Sequence, residues 1–322
     1  AILGQDPSLG NVTTAPTREA MKFSAETNHL LEKRLRQVLQ PLEILLCAVV
    51  TSLEFWIVYW SRCFSLRYTD PPTAWLLVLW CLTACIALTL VAAMKYRSGK
   101  KSRAWIAIAL TMWAGLVCGY SLGDRYWYEH TVNYYNVKGM ASYINIDPAT
   151  DKGESYMDAG TMYFKEDSRV RKETAVAFRN GMTYCVAPIM RHVQGSKSGG
   201  GPVAPPSGTV DFWAVGVDCC GKKGETFTCG EVGTSLARSG LRLMDGTARS
   251  MFLLGVQEWS AGTGLPVRHP VFFHWVVDPI ITLEGIISAA WENLWLNLFG
   301  CFVGSLITAF VLHLGLQKLR VL

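Results

Sequence analysis

The chain has 322 residues, half of them hydrophobic and only 17% charged, with twelve tryptophans and a formal net charge of +5. That balance excludes an ordinary pair of soluble domains of this length, because the apolar residues gather into runs long enough to cross a bilayer. The basic excess sits at the edges of those runs, where anionic lipid headgroups attract it, so membrane lipid rather than nucleic acid is the partner it implies.

Residues 1–23 are polar and rich in Gly, Pro and Thr, and read as a flexible cytosolic tail with no cleavable signal. Within it, Asn11-Val12-Thr13 is a glycosylation sequon that stays unmodified on the cytosolic side. Residues 24–40 place Leu30, Leu31, Leu35, Val38 and Leu39 at helical spacing opposite Glu32, Lys33, Arg36 and Gln37. That pattern predicts an amphipathic interfacial helix, lying on inner headgroups or docked on a partner protein. Pro41 then suits the first turn of a new helix, where its missing N–H costs least.

Residues 41–122 hold three predicted transmembrane helices, at Leu42–Trp60, Ala74–Met94 and Ala104–Leu122, and residues 294–322 hold a fourth at Leu294–Leu316 followed by a short cytosolic tail. Lys33, Arg34 and Arg36 precede the first. Lys95, Arg97, Lys100, Lys101 and Arg103 separate the second from the third, and Lys318 and Arg320 follow the fourth. The bias places both termini in the cytosol and residues 123–293 outside it, at the plasma membrane or an endomembrane. Trp56, Tyr59, Trp60, Trp75, Trp105, Tyr120, Trp291 and Trp295 lie near span ends, as an interfacial belt requires.

Small residues recur at four-residue spacing, as Gly115, Gly119 and Gly123 on the third span and Gly300 and Gly304 on the fourth. Such positions let backbones approach closely, which predicts that the third span packs on the fourth, or that either packs on another subunit. Glu54 is the one acid well inside a span; a structural carboxyl that is protonated or reaches water is expected there. Cys47, Cys81, Cys85, Cys118 and Cys301 read as small packing residues, with Cys47 also placed to accept palmitate.

The large extracytoplasmic domain, about 170 residues, is long enough for its own core. Strand-like runs occur at Thr161–Phe164, Ala175–Phe178, Thr183–Ile189 and Thr209–Val217, with a Gly- and Pro-rich loop at Gln194–Gly208. After Cys229 the pattern turns helical through Leu236, Leu241, Leu243, Met244, Ala248, Met251, Phe252, Leu254 and Leu265; its glycines predict one or two short helices. Ile280–Asn293 is expected to lie along the interface. The fold class is therefore a mainly α membrane protein, a four-transmembrane-helix bundle with an inserted disulfide-stapled α+β extracytoplasmic domain.

Cys185, Cys219, Cys220 and Cys229 supply the staple. A bond between the neighbours Cys219 and Cys220 is strained, because their Cα atoms lie about 3.8 Å apart, short of usual disulfide spacing. One of the pair therefore bonds Cys185 and the other Cys229, worth a few kcal/mol together. Zinc held by Cys219, Cys220 and Cys229 with His192 or His130 is the competing reading; its spacing matches no usual zinc module, so no metal is assigned.

No catalytic residue and no cofactor is assigned either. The domain has His130, His192, His269 and His274, with Asp147, Asp158, Asp211, Asp218, Asp245 and Asp278, but none falls in a nucleophile, zincin or phosphate-loop pattern. His269 and His274 read as interfacial or core residues, and the loop at Asp147, Asp151 and Glu154 as solvated rather than calcium-binding.

Four spans, a short first outer loop, a basic inner turn and a large second outer loop carrying Cys219-Cys220-Gly221 together resemble the tetraspanins. The likeness implies a non-enzymatic membrane scaffold or organiser, which associates laterally with other integral membrane proteins as a homo- or hetero-oligomer and recognises partners through its large loop. It carries over to those three residues only. Tetraspanin loops are mainly helical and place the partner cysteines after the motif, whereas Cys185 precedes it here. The alternative is an accessory structural subunit of a larger membrane complex, such as an energy-transducing one.

Overall fold

A computed structural model of the chain describes residues 18–98, 103–191, 208–221 and 226–318. The expected tail, the sequon, His192, most of the Gly/Pro loop, Lys100 with Lys101, and Arg320 lie outside the described residues, as do the side chains of the amphipathic stretch 24–40. Four helices are long and apolar enough to cross a membrane: Pro41–Cys63, Pro71–Arg97, Ala104–Lys138 and Pro279–Leu312.

The helical elements exceed the spans expected from sequence. Helix α1 runs Arg18–Cys63 without a break through Pro41, so the stretch 24–40 is continuous with the first apolar segment and not a separate helix. A five-residue turn, α2 (Ser65–Thr69), leads to α3 (Pro71–Arg97), which Pro71 opens in the first turn while the Asp70 carboxylate accepts the Thr73 N–H at 3.3 Å. Helix α4 (Arg103–Tyr126) passes through a π-helical turn, Trp127–Thr131, into α5 (Val132–Lys138). The helical course therefore continues to Lys138, past the expected span end at Leu122.

The chain divides into two compact units: one gathers the described residues through Glu54, Leu82–Leu116 and those from Phe299 on, and the other gathers Phe55–Cys81 and Val117–Leu298. The second contains a mixed sheet of eight strands: β1 (Ala141–Ile146), β2 (Ala159–Phe164), β3 (Ser168–Val170), β4 (Val176–Asn180), β5 (Met182–Arg191), β6 (Phe212–Val217), β7 (Ser239–Arg242) and β8 (Val271–Val276). Their order is β1-β2-β7-β8-β6-β5, with β4 and β3 pairing successive stretches of β5. The β1/β2 and β6/β8 pairs are parallel and the others antiparallel.

Period-two alternation sorts the strand side chains onto two faces. Phe212, Ala214, Cys185, Ala187, Phe273 and Trp275 belong to one core, with Phe164 and Phe227. Val186, Trp213, Val215 and Phe272 face the other, covered by Phe252, Val256 and Trp259 of helix α6 (Gly246–Thr263). α6 is one helix rather than two. Asp245 caps its start, Gly264 ends it at φ +70°, and Gly255 lets it close on Val186.

Two further expectations fail in this region. Ser239–Arg242 is a strand, β7, although Leu236, Leu241 and Leu243 suggested helix. Ile280–Asn293 begins helix α7 (Pro279–Lys318), a single 40-residue element with no separate interfacial segment.

Candidate functional site

The four cysteines converge where β5 and β6 meet the segment after β6. Cys185 sits opposite Gly216 in the β5/β6 register. Asp218, at φ +54°, turns the chain out of β6; its carboxylate accepts the Thr183 N–H at 2.8 Å and its own N–H donates to the Thr183 carbonyl at 2.8 Å. Beyond this turn Cys220 bonds back to Cys185 and Cys219 bonds forward to Cys229, with Cα separations of 6.0 and 5.0 Å.

The sulfurs of Cys185, Cys219 and Cys229 lie within 4.8 Å of one another. Cys219, Cys220 and Cys229, the cysteines of the zinc reading, are all spent in S–S bonds here. Gly216 makes the packing possible, since a Cβ there would stand 2.5 Å from Cys219 Sγ and 2.6 Å from Cys229 Cβ. Sequence reasoning passed over Gly216, although a glycine inside an apolar strand run is itself a sign of close approach.

Among the long helices the glycines of α4 pack on α1 and not on the fourth span. The absent Cβ atoms of Gly115, Gly119 and Gly123 would stand 2.9 Å from Thr51 Cγ2, 3.0 Å from the Phe55 carbonyl oxygen and 3.1 Å from the Tyr59 carbonyl oxygen. Around Gly300 and Gly304 the corresponding space is open. Beside Gly115 lies Glu54, 4% exposed, which therefore does not reach water as one reading expected. Its Oε1 accepts the Cys85 thiol at 2.9 Å, and Oε2 is buried with no partner among the described residues. Thr51 donates to Thr111 at 3.0 Å, and Cys47 lies 3.0 Å from the same hydroxyl, so this helix contact carries a short polar ladder.

Several expected belt aromatics have intramolecular roles. Tyr59 is fully buried and donates to Asn293 at 2.8 Å. Trp75 and Tyr120 take the Arg62 guanidinium at 4.5 and 5.0 Å from their ring centroids. Arg62 and Arg67 both bind the Asp124 carboxylate, so three elements meet at one ion cluster. Trp291 packs on Phe64 at 4.3 Å, and Lys95 lies over Trp105 at 4.0 Å.

The polar residues of the sheet region are also mostly structural. Asp147 is buried rather than solvated; it accepts the Ala149 N–H at 3.0 Å and pairs with Lys165 and Arg191, each at 3.2 Å. Burial alone would raise its carboxyl, but the N–H bond and the two cations hold it below the ordinary carboxylate value. Asp211, also buried, accepts backbone N–H groups of Gly153, Arg268 and His269 and so ties three loops together. His269 stands 3.3 Å from Glu154. His274 opens into a cavity rather than a protein core. No protein-family model, no curated protein and no solved structure matches the chain.

Proposed function

We propose that the chain is a non-enzymatic integral membrane scaffold that associates sideways with other membrane proteins, its sheet region presenting a rigid recognition surface. The observation that carries this reading is the unequal packing of the four apolar helices. Within the apolar windows, 44% of residues are buried in the first and third segments, against 22% in the second and 17% in the fourth. On the fourth, Gly300 and Gly304 leave open space while Phe299, Val303, Ile307 and Phe310 are exposed. Glycines beside open space permit the close backbone approach that drives helix association in lipid.

The Lys/Arg bias supports cytosolic termini, and two disulfides in the sheet region support an oxidising compartment on the other side, at the plasma membrane or an endomembrane. The likeness of Cys219-Cys220-Gly221 to the tetraspanin motif points to the same role. Replacing Gly300 and Gly304 together by Leu tests it in the full chain extracted from membrane in mild detergent. The parent chain is expected to run on a native gel as a species heavier than a single chain, and the variant to lose that species while both disulfides persist. Survival of that species would refute lateral association through this face; a fixed stoichiometry with one partner set, retained in the variant, would favour the accessory-subunit alternative.

A further inference from the structure

On the α6 side of the sheet lies a cavity of about 360 Å³, at the lower end of the range typical of ligand pockets. Its walls come from β7, β8 and the start of α6, from the π-helical turn with α5, and from the first turns of α7. The last two walls belong to apolar helices long enough to cross a membrane. Most of the lining is apolar, with Val137, Phe252, Leu283 and Ile286 among it. Into this surface are set a few polar groups, chiefly Arg242, His274 and Asn133.

The acids of the wall are already engaged. Asp245 accepts from Thr247 N–H at 2.8 Å, Thr247 hydroxyl at 2.6 Å and Ala248 N–H at 3.2 Å as the cap of α6. Glu129 accepts from Arg125 at 2.8 Å. Asp158, outside the cavity lining but with its charge felt at Arg242, accepts the Tyr143 hydroxyl at 3.0 Å.

Arg242 stands in contrast to these. It is half-buried, has no ion pair among the described residues, and its Nη1 is buried without a hydrogen-bond partner. Its guanidinium lies 5.9 Å from the Phe273 ring centroid, a weak substitute for a counter-ion. Burial and then the neighbouring Arg249 pull the guanidinium below its ordinary value, as befits a cation lacking an anion. His274 is accessible from the cavity yet surrounded by protein. Burial lowers its imidazole even though it donates to the Val215 carbonyl, which leaves its second nitrogen for a ligand.

An unpaired buried charge is costly, and a guanidinium is the side chain best shaped to take a carboxylate or phosphate. We propose that this cavity binds a lipid-class amphiphile with one anionic head, a carboxylate or a phosphate held by Arg242, and an aliphatic chain lying along Val137, Leu283 and Ile286. The anion supplies what Arg242 lacks, and the chain covers the apolar wall beside the two long helices. This inference stands independently of lateral association.

The test uses the full chain in a neutral maltoside detergent, with equilibrium binding of radiolabelled dodecanoate, dodecyl phosphate and dodecanol. At least one anion is expected to bind about tenfold or more tighter than the alcohol, the worth of a charge-assisted hydrogen bond. Preference for dodecanoate would identify a free fatty acid as the source, and preference for dodecyl phosphate a phospholipid. Arg242→Gln should erase the preference for the anion, and Ile286→Trp, which fills the cavity from its apolar end, should abolish binding of every probe while both disulfides still form. Equal binding of alcohol and anions, no binding of either anion, or undiminished binding to Ile286→Trp would each overturn the proposal.

Discussion

In the sheet region, alternate side chains of each strand fill two aromatic and aliphatic cores, one disulfide ties the segment after β6 to β5, and a second closes that segment on itself. Between α1 and α4 the close contacts are made where side chains are missing, at Gly115, Gly119 and Gly123 against the backbone of Thr51, Phe55 and Tyr59. The first region derives stability from what its residues bury and cross-link. The second derives it from backbone proximity and a few hydrogen bonds, the means by which long apolar helices pack closely. The two regions should therefore respond to different insults.

Three experiments on the full chain test that contrast. The largest effect is expected on replacing Cys185 and Cys220 together by Ser. The bridge spans 35 residues, so its loss should cost the sheet region about 3–4 kcal/mol on the chain-entropy estimate. Denaturant unfolding followed by tryptophan fluorescence reads it, and an unmoved midpoint would contradict the contrast. Next, Gly119→Leu drives a side chain into the Phe55 backbone, 3.0 Å from the glycine's Cβ position, and should destabilise the helices by about 1–3 kcal/mol. Thermal loss of helical circular dichroism should shift downward, whereas Gly300→Leu should leave it in place.

The smallest expected effect is electrostatic. Because the folded state holds the Asp147 carboxyl below its ordinary value, the unfolded chain binds its proton first as pH falls. The stabilisation is therefore complete above the ordinary carboxylate value of about 4 and disappears as pH falls through the lower folded value. Asp147→Asn should remove about 1–2 kcal/mol at neutral pH, the order of a buried charged hydrogen bond, and flatten the acid limb of the stability profile. An acid limb as steep as the parent's would show that other carboxylates dominate.

Much of this architecture is written locally. Runs such as Pro71–Arg97 exceed bilayer length without interruption, and β5 and β6 read as strands from Val, Tyr, Phe and Trp between turn residues. What depends on distant partners was hidden. Leu241 fits a helical stripe, and only pairing with β2 and β8 makes it strand. A GxxxG pattern states that something approaches closely but not what, so α1 rather than α7 receives the glycines of α4. Tyr59 looks like an interfacial aromatic until Asn293, far along the chain, accepts its hydroxyl. Asp147 looked solvated because Lys165 and Arg191 reach it only through the sheet. The Arg242 cavity draws its walls from sequence stretches that share no motif.

The order of the cysteines has a practical result. In sequence the bridges interlace, since Cys219 lies inside the loop closed by Cys185 and Cys220 while its mate, Cys229, lies beyond it. Removing one cysteine alone frees its mate close to the surviving bridge, where a thiolate can attack and reshuffle the link. Single-cysteine variants will therefore yield mixtures of scrambled isomers, and the contribution of either bond is properly measured by deleting cysteines two at a time.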